Sequence, residues 1–157
     1  MKKVDLHVHS TYSDGTNTPA ELIELAKEEG LSAIALTDHD TLDGIPDALN
    51  AAKSEPVQLI PGVELSTNFN NTEVHIVGLF IDYKNPQINE YLEVQRQSRI
   101  DRNIQMCQKF CDIGIDITYE KMCELYPDAV ITRAHFADYL VKNKYTGDRN
   151  EAFDRYL

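Results

Sequence analysis

Five histidines carry most of the chemistry that this 157-residue chain can offer: His7, His9, His39, His75 and His135. His7 and His9 stand one residue apart in VDLHVH, so on a strand both project from the same face. His39 sits in Thr37-Asp38-His39-Asp40, directly after the apolar run SAIALT. Glu64 closes Pro61-Gly62-Val63-Glu64, and Asp14 lies in the turn-rich loop after the first histidine pair. Imidazole and carboxylate together form the ligand set of zinc, manganese and iron. A glutamate can also bridge two cations through its two oxygens. Singly, each residue has a plainer reading. A strand histidine is commonly a surface or core residue, and Asp5, Asp40 and Asp43 each fit a helix cap or a solvated loop charge. Metal is favoured by convergence, because successive strands deliver His, His, His and Glu to one rim.

The elements that must position them follow from pattern. Residues 4–9, 32–37, 57–65 and 74–81 read as strands, with Asn68, Asn70 and Asn71 marking the turn between the last two. Thr18-Pro19-Ala20-Glu21 is a capping box with proline at the first helical position, and Gly30 is a stop signal. The helix between them places Leu22, Ile23, Leu25 and Ala26 largely on one face. Residues 43–53 form a second short helix. Strand, helix, strand, helix, strand is the signature of a parallel α/β sheet with helices outside. In such a sheet ligands bind at the C-terminal strand ends, where these histidines fall. After Pro86 the character changes to helix: one long helix over 87–112, then shorter ones capped by Thr118, Thr132 and Asp148. No strand is expected after residue 82.

Composition bounds the function. Lysine plus arginine number 15 and aspartate plus glutamate 26, a formal charge of −11. That argues against a protein that grips duplex nucleic acid or an anionic membrane, although bound cations can dominate a local field. MKKVDLHVHS has no apolar stretch behind its lysines, so no signal peptide is expected, and no run reaches membrane-spanning length. Cys107, Cys111 and Cys123 form no CxxC pair. A soluble, reduced, cytoplasmic protein is the expectation.

DLHVHSTYSDG at 5–15, ALTDHD at 35–40, PGVELS at 61–66, EVHIVGL at 73–79 and ITRAHFADYL at 131–140 together resemble the PHP family, the polymerase and histidinol phosphatase domain. The order is similar to that of stand-alone PHP phosphoesterases with a helical insertion after the fourth strand, the branch that includes nucleoside 3′,5′-bisphosphate phosphatases. The resemblance covers essentially the whole chain. It implies an α/β fold, the N-terminal part of a distorted (β/α)7 PHP barrel over 1–85. A helical insertion over 86–157 would follow, with 131–140 returning to the metal site. The family pattern ends with a further Asp-x-His pair on its last strands, and none follows His135. The chain is therefore expected to be the N-terminal part of such a protein.

The resemblance also implies a site of two or three divalent ions, Mn, Fe or Zn. His7, His9 and Glu64 resemble ligands of one metal. Glu64 would bridge to a second, completed by His75 and His135, and Asp14 and His39 resemble ligands of a third. Asp38 resembles the acid of the TDHD motif, which lies either close to the metal or behind a ligand histidine that it orients. Asp38, His39 and Glu64 would form the catalytic group. The implied activity is hydrolysis of a small phosphorylated substrate, a nucleotide or short oligonucleotide, by a metal-activated hydroxide. No nucleophilic serine or cysteine motif is present. Arg133, two residues before His135, is either a phosphate clamp or a solvated helix-start arginine. Arg96, Arg99 and Arg102 recur every three residues as a mostly solvated stripe, with Arg99 or Arg102 as candidate substrate contacts. Cys107 and Cys111 read as packing residues, and Tyr12, Gly15, Gly44 and Gly62 as loop-shaping residues.

The rival reading is a non-catalytic PHP-like module kept for structure or protein contact. A metal-dependent deacetylase or amidohydrolase ranks lower, for want of a candidate lysine or later aspartate. With an edge strand open near 74–81, the chain by itself is expected to self-associate and to be a poor catalyst.

Overall fold

A computed structural model describes residues 3–70 and 72–157. Its elements run β1 (Lys3–Val8), α1 (Pro19–Glu28), β2 (Leu31–Leu36), α2 (Ile45–Ala52), β3 (Gln58–Phe69), β4 (Thr72–Leu79), α3 (Pro86–Asp112), α4 (Tyr119–Leu125), α5 (Arg133–Lys142) and α6 (Arg149–Tyr156). The chain divides into two compact units, one up to Arg96 and one from Gln97 onward.

In the first unit the strands form one sheet in the order β1-β2-β3-β4. β1 and β2 pair in parallel, as do β2 and β3. β3 and β4 pair antiparallel from Gly62↔Leu79 to Phe69↔Thr72, which corrects the expectation of an all-parallel sheet. The cause is local. Asn70 takes a left-handed φ of 51°, which lets the chain double back within two residues. A parallel return needs a crossover of about a dozen residues or more. Asn71, the other turn residue, lies outside the described residues. β3 is also longer than expected, running past Glu64 to Phe69.

The two faces of the sheet differ. Ile34, Leu36, Leu59 and Val63 pack with Ile23 and Ala26 of α1, Ile45 and Ala48 of α2, and Leu92 in the main core. On the other face Ala33, Ala35 and Ile60 form a small cluster with Leu79. Strand period two places Thr37, His39, Gly62 and Glu64 on that second side. The small alanines keep it shallow enough for polar side chains to converge at its end. Thr18 and Glu21 cap each other's backbone at the start of α1, as the motif requires.

The second unit has its own core: Phe110, Ile115, Ile117, Met122, Ile131, Phe136 and Leu140, with Cys107 and Ala152. Each of its shorter helices starts at the expected cap. The Thr118, Thr132 and Asp148 side chains accept from Lys121, Ala134 and Glu151 backbone N–H groups. Asn103 is fully buried and donates from Nδ2 to the Ile131 carbonyl at 2.9 Å, which satisfies both groups.

Gly62 shows how tightly the first sheet is drawn. A Cβ there would lie 2.8 Å from Thr37 Cγ2 and 2.9 Å from the Gly78 carbonyl oxygen. Gly62→Ala should lower unfolding stability by about 1–3 kcal/mol, the usual range for overpacking, as measured by denaturant titration of the metal-free chain.

Candidate metal centre

The site is built where the β2–β3 ladder runs past the end of β2. His39 and Glu64 form a further parallel bridge. Glu64 N–H donates to the Asp38 carbonyl at 3.2 Å, and Asp40 N–H donates to the Glu64 carbonyl at 3.0 Å. These bonds set His39 directly beside Glu64. β1 contributes His7, and His9 follows directly after its end, from the adjoining side. β4 contributes His75, which pairs with Ser66, two residues beyond Glu64 on the same face.

One carboxylate gathers four imidazoles. Glu64 Oε2 lies 2.7 Å from His7 Nε2, 3.0 Å from His9 Nε2 and 3.7 Å from His39 Nδ1, while Oε1 lies 2.6 Å from His75 Nδ1. Asp14 reaches in from the β1–α1 loop, with Oδ1 at 3.7 Å from His9 Nδ1 and Oδ2 at 3.4 Å from His39 Nε2. The His9 and His39 rings stack with centroids 4.7 Å apart. That loop is tightly wound. A Cβ on Gly15 would lie 2.1 Å from the His9 carbonyl oxygen, so only glycine fits next to Asp14.

Three sets of ligand atoms lie within 4.8 Å of one another: His7, His9 and Glu64; His9, Asp14 and His39; His39, Glu64 and His75. Neutral imidazoles and carboxylates at this spacing suit a divalent transition metal. An orphaned atom points the same way. The buried His39 Nδ1 makes no hydrogen bond. An unsatisfied buried acceptor is costly, and a cation would relieve it.

The electrostatics prepare the same groups. Burial, then the neighbouring His39, lowers the pKa of His9, which favours the neutral form that a ligand needs. Glu64 is held below its ordinary value. Burial opposes this, but the hydrogen bond from His7 and the imidazoles of His39, His75 and His9 outweigh it. His75 is raised. Burial pulls it down, yet hydrogen bonds to Glu73 and Glu64 prevail. Glu73 stands two residues before His75 on the same face and holds His75 Nε2 at 3.2 Å. A carboxylate behind a histidine fixes the ring and its tautomer, which is the usual arrangement around a bound metal. Glu73 was passed over in the sequence, although its period-two spacing from His75 was there to find it.

Asp38 lies against the serines of the β1–α1 loop, and its charge acts on His9. Its carboxylate accepts from Ser10 N–H, Ser10 Oγ and Ser13 Oγ, each at 2.7 Å. Ser10 and Ser13 carried no motif signal and are legible only in three dimensions. The remaining candidates belong to the second unit. His135 is buried, with Nδ1 accepting from Thr132 N–H at 3.0 Å and its ring 4.2 Å from that of Tyr126. With Nδ1 as acceptor the neutral ring carries its proton on Nε2, so ligation through Nε2 requires that cap to open. Arg133 opens α5, Arg99 is buried, and Arg102 donates to Asn103 Oδ1 at 3.2 Å.

The model of the PHP domain matches residues 5–156. The chain belongs to the PHP domain family. A 5′-3′ exoribonuclease of Haemophilus influenzae is 42% identical over 156 residues, 99% of this chain and 57% of that protein. A 3′,5′-nucleoside bisphosphate phosphatase of Chromobacterium violaceum is 36% identical over 160 residues, 100% of this chain and 55% of that one. Among solved structures, an amidohydrolase of Chromobacterium violaceum with bound sulfate and no metal superposes with a TM-score of 0.91 at 36% identity. That alignment covers 99% of this PHP chain and 55% of the solved one. The PHP chain thus spans a little over half the length of these relatives, and its mixed α/β sheet with helices matches part of a PHP barrel.

The shifted histidine gives a pH signature for the metal-free protein. His75 titrates above its ordinary 6.5 when folded, so the stability it adds is complete below 6.5 and is lost as pH rises through the folded value. His75→Gln should therefore cost more stability in mildly acidic than in mildly alkaline buffer. Chemical denaturation of both proteins in chelator at the two pH values checks this.

Proposed function

We propose that this chain forms the metal-binding face of a phosphoesterase that hydrolyses a small phosphorylated substrate, a nucleotide or a short oligonucleotide. The observation that carries the proposal is the Glu64 carboxylate set among His7, His9, His39 and His75, with Asp14 completing a second ligand group. Two relatives act on phosphoester bonds by name, and a solved structure 36% identical to this chain holds sulfate, a tetrahedral anion of phosphate shape.

In this reading the rim holds two or three divalent ions, Mn, Fe or Zn. Bound there, they supply Lewis acidity to phosphoryl oxygens and acidify water at neutral pH. The residues do the rest. Glu64, ionised and buried, is shared between neighbouring ligand groups and sets their spacing. His9 and His39 each belong to two groups, so they tie the ligand sets together. His135 would join once its Thr132 cap opens. Arg133, Arg99 and Arg102 would meet the substrate's negative charge. The buried Cys107 thiol, pushed up to about 11 by burial, takes no nucleophilic part. The protein would act in the cytoplasm. Val4 and Leu6 on β1, and Val74, Ile76 and Val77 on β4, are exposed on the two outermost strands of the sheet. These strands would pair between copies of the chain.

The test is metal content and turnover measured together. A longer protein that carries this chain within a full PHP barrel should, loaded with Mn²⁺, release phosphate from a panel of nucleoside bisphosphates and short oligonucleotides and lose the activity in chelator, while the chain by itself should turn over far more slowly. Glu64→Gln should cut kcat/KM by about 100-fold or more, beyond the range expected for an outer-shell residue, and release metal. Cys107→Ala should leave both unchanged. Tight metal binding with no hydrolysis of any substrate would favour the non-catalytic module.

A further inference from the structure

His39 is flanked by two aspartates that the ligand groups do not use. Asp38 is 2% exposed and Asp40 1% exposed. A buried carboxylate is tolerated only when its acceptor capacity is met. Each is met by a neighbouring strand or loop, on opposite sides of His39.

Asp38 takes the β1 side. Oδ1 accepts from Ser10 N–H and Ser13 Oγ, and Oδ2 accepts from Ser10 Oγ. Ser10 directly follows His9, and Ser13 directly precedes Asp14. Ser13 Oγ also lies 3.4 Å from His9 Nδ1. One carboxylate therefore grips the residues next to both ligands that the β1 loop supplies. Each bond is charge-assisted and short, as expected for an ionised acceptor.

Asp40 takes the β3 side. Its φ of 53° lies in the left-handed region, which Asp enters more readily than most residues. From there its N–H reaches the Glu64 carbonyl at 3.0 Å, and Oδ1 accepts from Ser66 N–H at 2.9 Å. Ser66 stands two residues past Glu64 and pairs with His75.

We infer that Asp38 and Asp40 are positioning residues: a two-sided brace that holds His9 and Asp14 on one flank, and Glu64 and His75 on the other, at ligand distance from His39. Neither binds metal nor carries a proton in the reaction. The inference rests on the reading that the rim holds divalent cations. Its physical content is preorganisation. Without the brace, the β1 loop and β3 would have to be ordered by the cation itself, at the expense of affinity.

Co²⁺ is the probe, because its visible absorption reports coordination as well as occupancy. Wild-type chain, Asp38→Asn, Asp38→Glu, Asp40→Ala and Ser13→Ala are titrated with Co²⁺ by calorimetry and by absorption. Amide exchange at Ser10 is followed without metal. Asn presents an NH2 donor where an acceptor is needed, so Asp38→Asn should bind Co²⁺ about 10- to 100-fold more weakly with an altered spectrum. Asp40→Ala, which removes the acceptor of the Ser66 N–H that Asn would keep, should do the same, and Asp38→Glu should recover less than half of the lost affinity because its longer arm misplaces the loop. Ser10 exchange should quicken in Asp38→Asn. Ser13→Ala removes one hydroxyl and no charge, and should show a smaller loss in the same direction. It decides the matter if Asp38→Asn fails to fold. Wild-type binding with unchanged affinity and spectrum in Ser13→Ala and in every folded aspartate variant would overturn the inference alone. A wild-type chain that takes up no Co²⁺ would overturn the metal reading, and the inference with it.

Discussion

A single buried negative charge organises the first unit. The Glu64 side chain is only 6% exposed, yet four imidazoles crowd it. Burial, then the neighbouring His39, favours the neutral form of His9, whose ring then has a lone pair to offer a cation. His39 Nδ1 is buried without a hydrogen bond. The cluster therefore has excess donor capacity for a cation and a deficit of positive charge. A divalent ion corrects both at once.

That carboxylate can sit there only because the surrounding sheet is asymmetric. Large aliphatics fill the face toward α1 and α2, and alanines and a glycine occupy the other. Ala33, Ala35 and Gly62 do not stabilise the protein by their own burial so much as by leaving room. Parallel pairing of β1, β2 and β3 sets the C-terminal ends of β1 and β2 beside Glu64 in the middle of the longer β3. The antiparallel β4 brings a histidine from mid-strand, by register rather than by a strand end. Two different geometries thus converge on the same atoms, and hydrogen bonds across strand ends hold them in step.

Much of this was legible in the chain. The HxH pair, TDHD and PGVE bring four of the candidate ligands, His7, His9, His39 and Glu64, to one rim on sequence alone, because strand period and βα order restrict where such residues can go. Helix caps at Thr18, Thr118, Thr132 and Asp148 were readable because capping is a local interaction of three or four residues. The antiparallel turn was missed as such. Asparagines near residue 70 announce a turn, but only pairing shows that the strands on either side run back along each other. Asp38 takes serine partners that the chain does not announce. Its fate depends on a loop 25 to 28 residues earlier in sequence, and no local pattern encodes that.

By itself, then, the sequence determined the kinds of ligand, their order, the α/β class, the starts of the helices and the family to which the chain belongs. These follow from residue chemistry and short-range periodicity. Only the tertiary structure decided which histidine nitrogen faces which oxygen, that His75 is backed by Glu73, that the buried His39 Nδ1 lacks a hydrogen bond, and that two aspartates brace its flanks. Those features depend on register between strands and on distances of a few tenths of an ångström. Both are set by the packing of residues far apart in the chain, which no local pattern records.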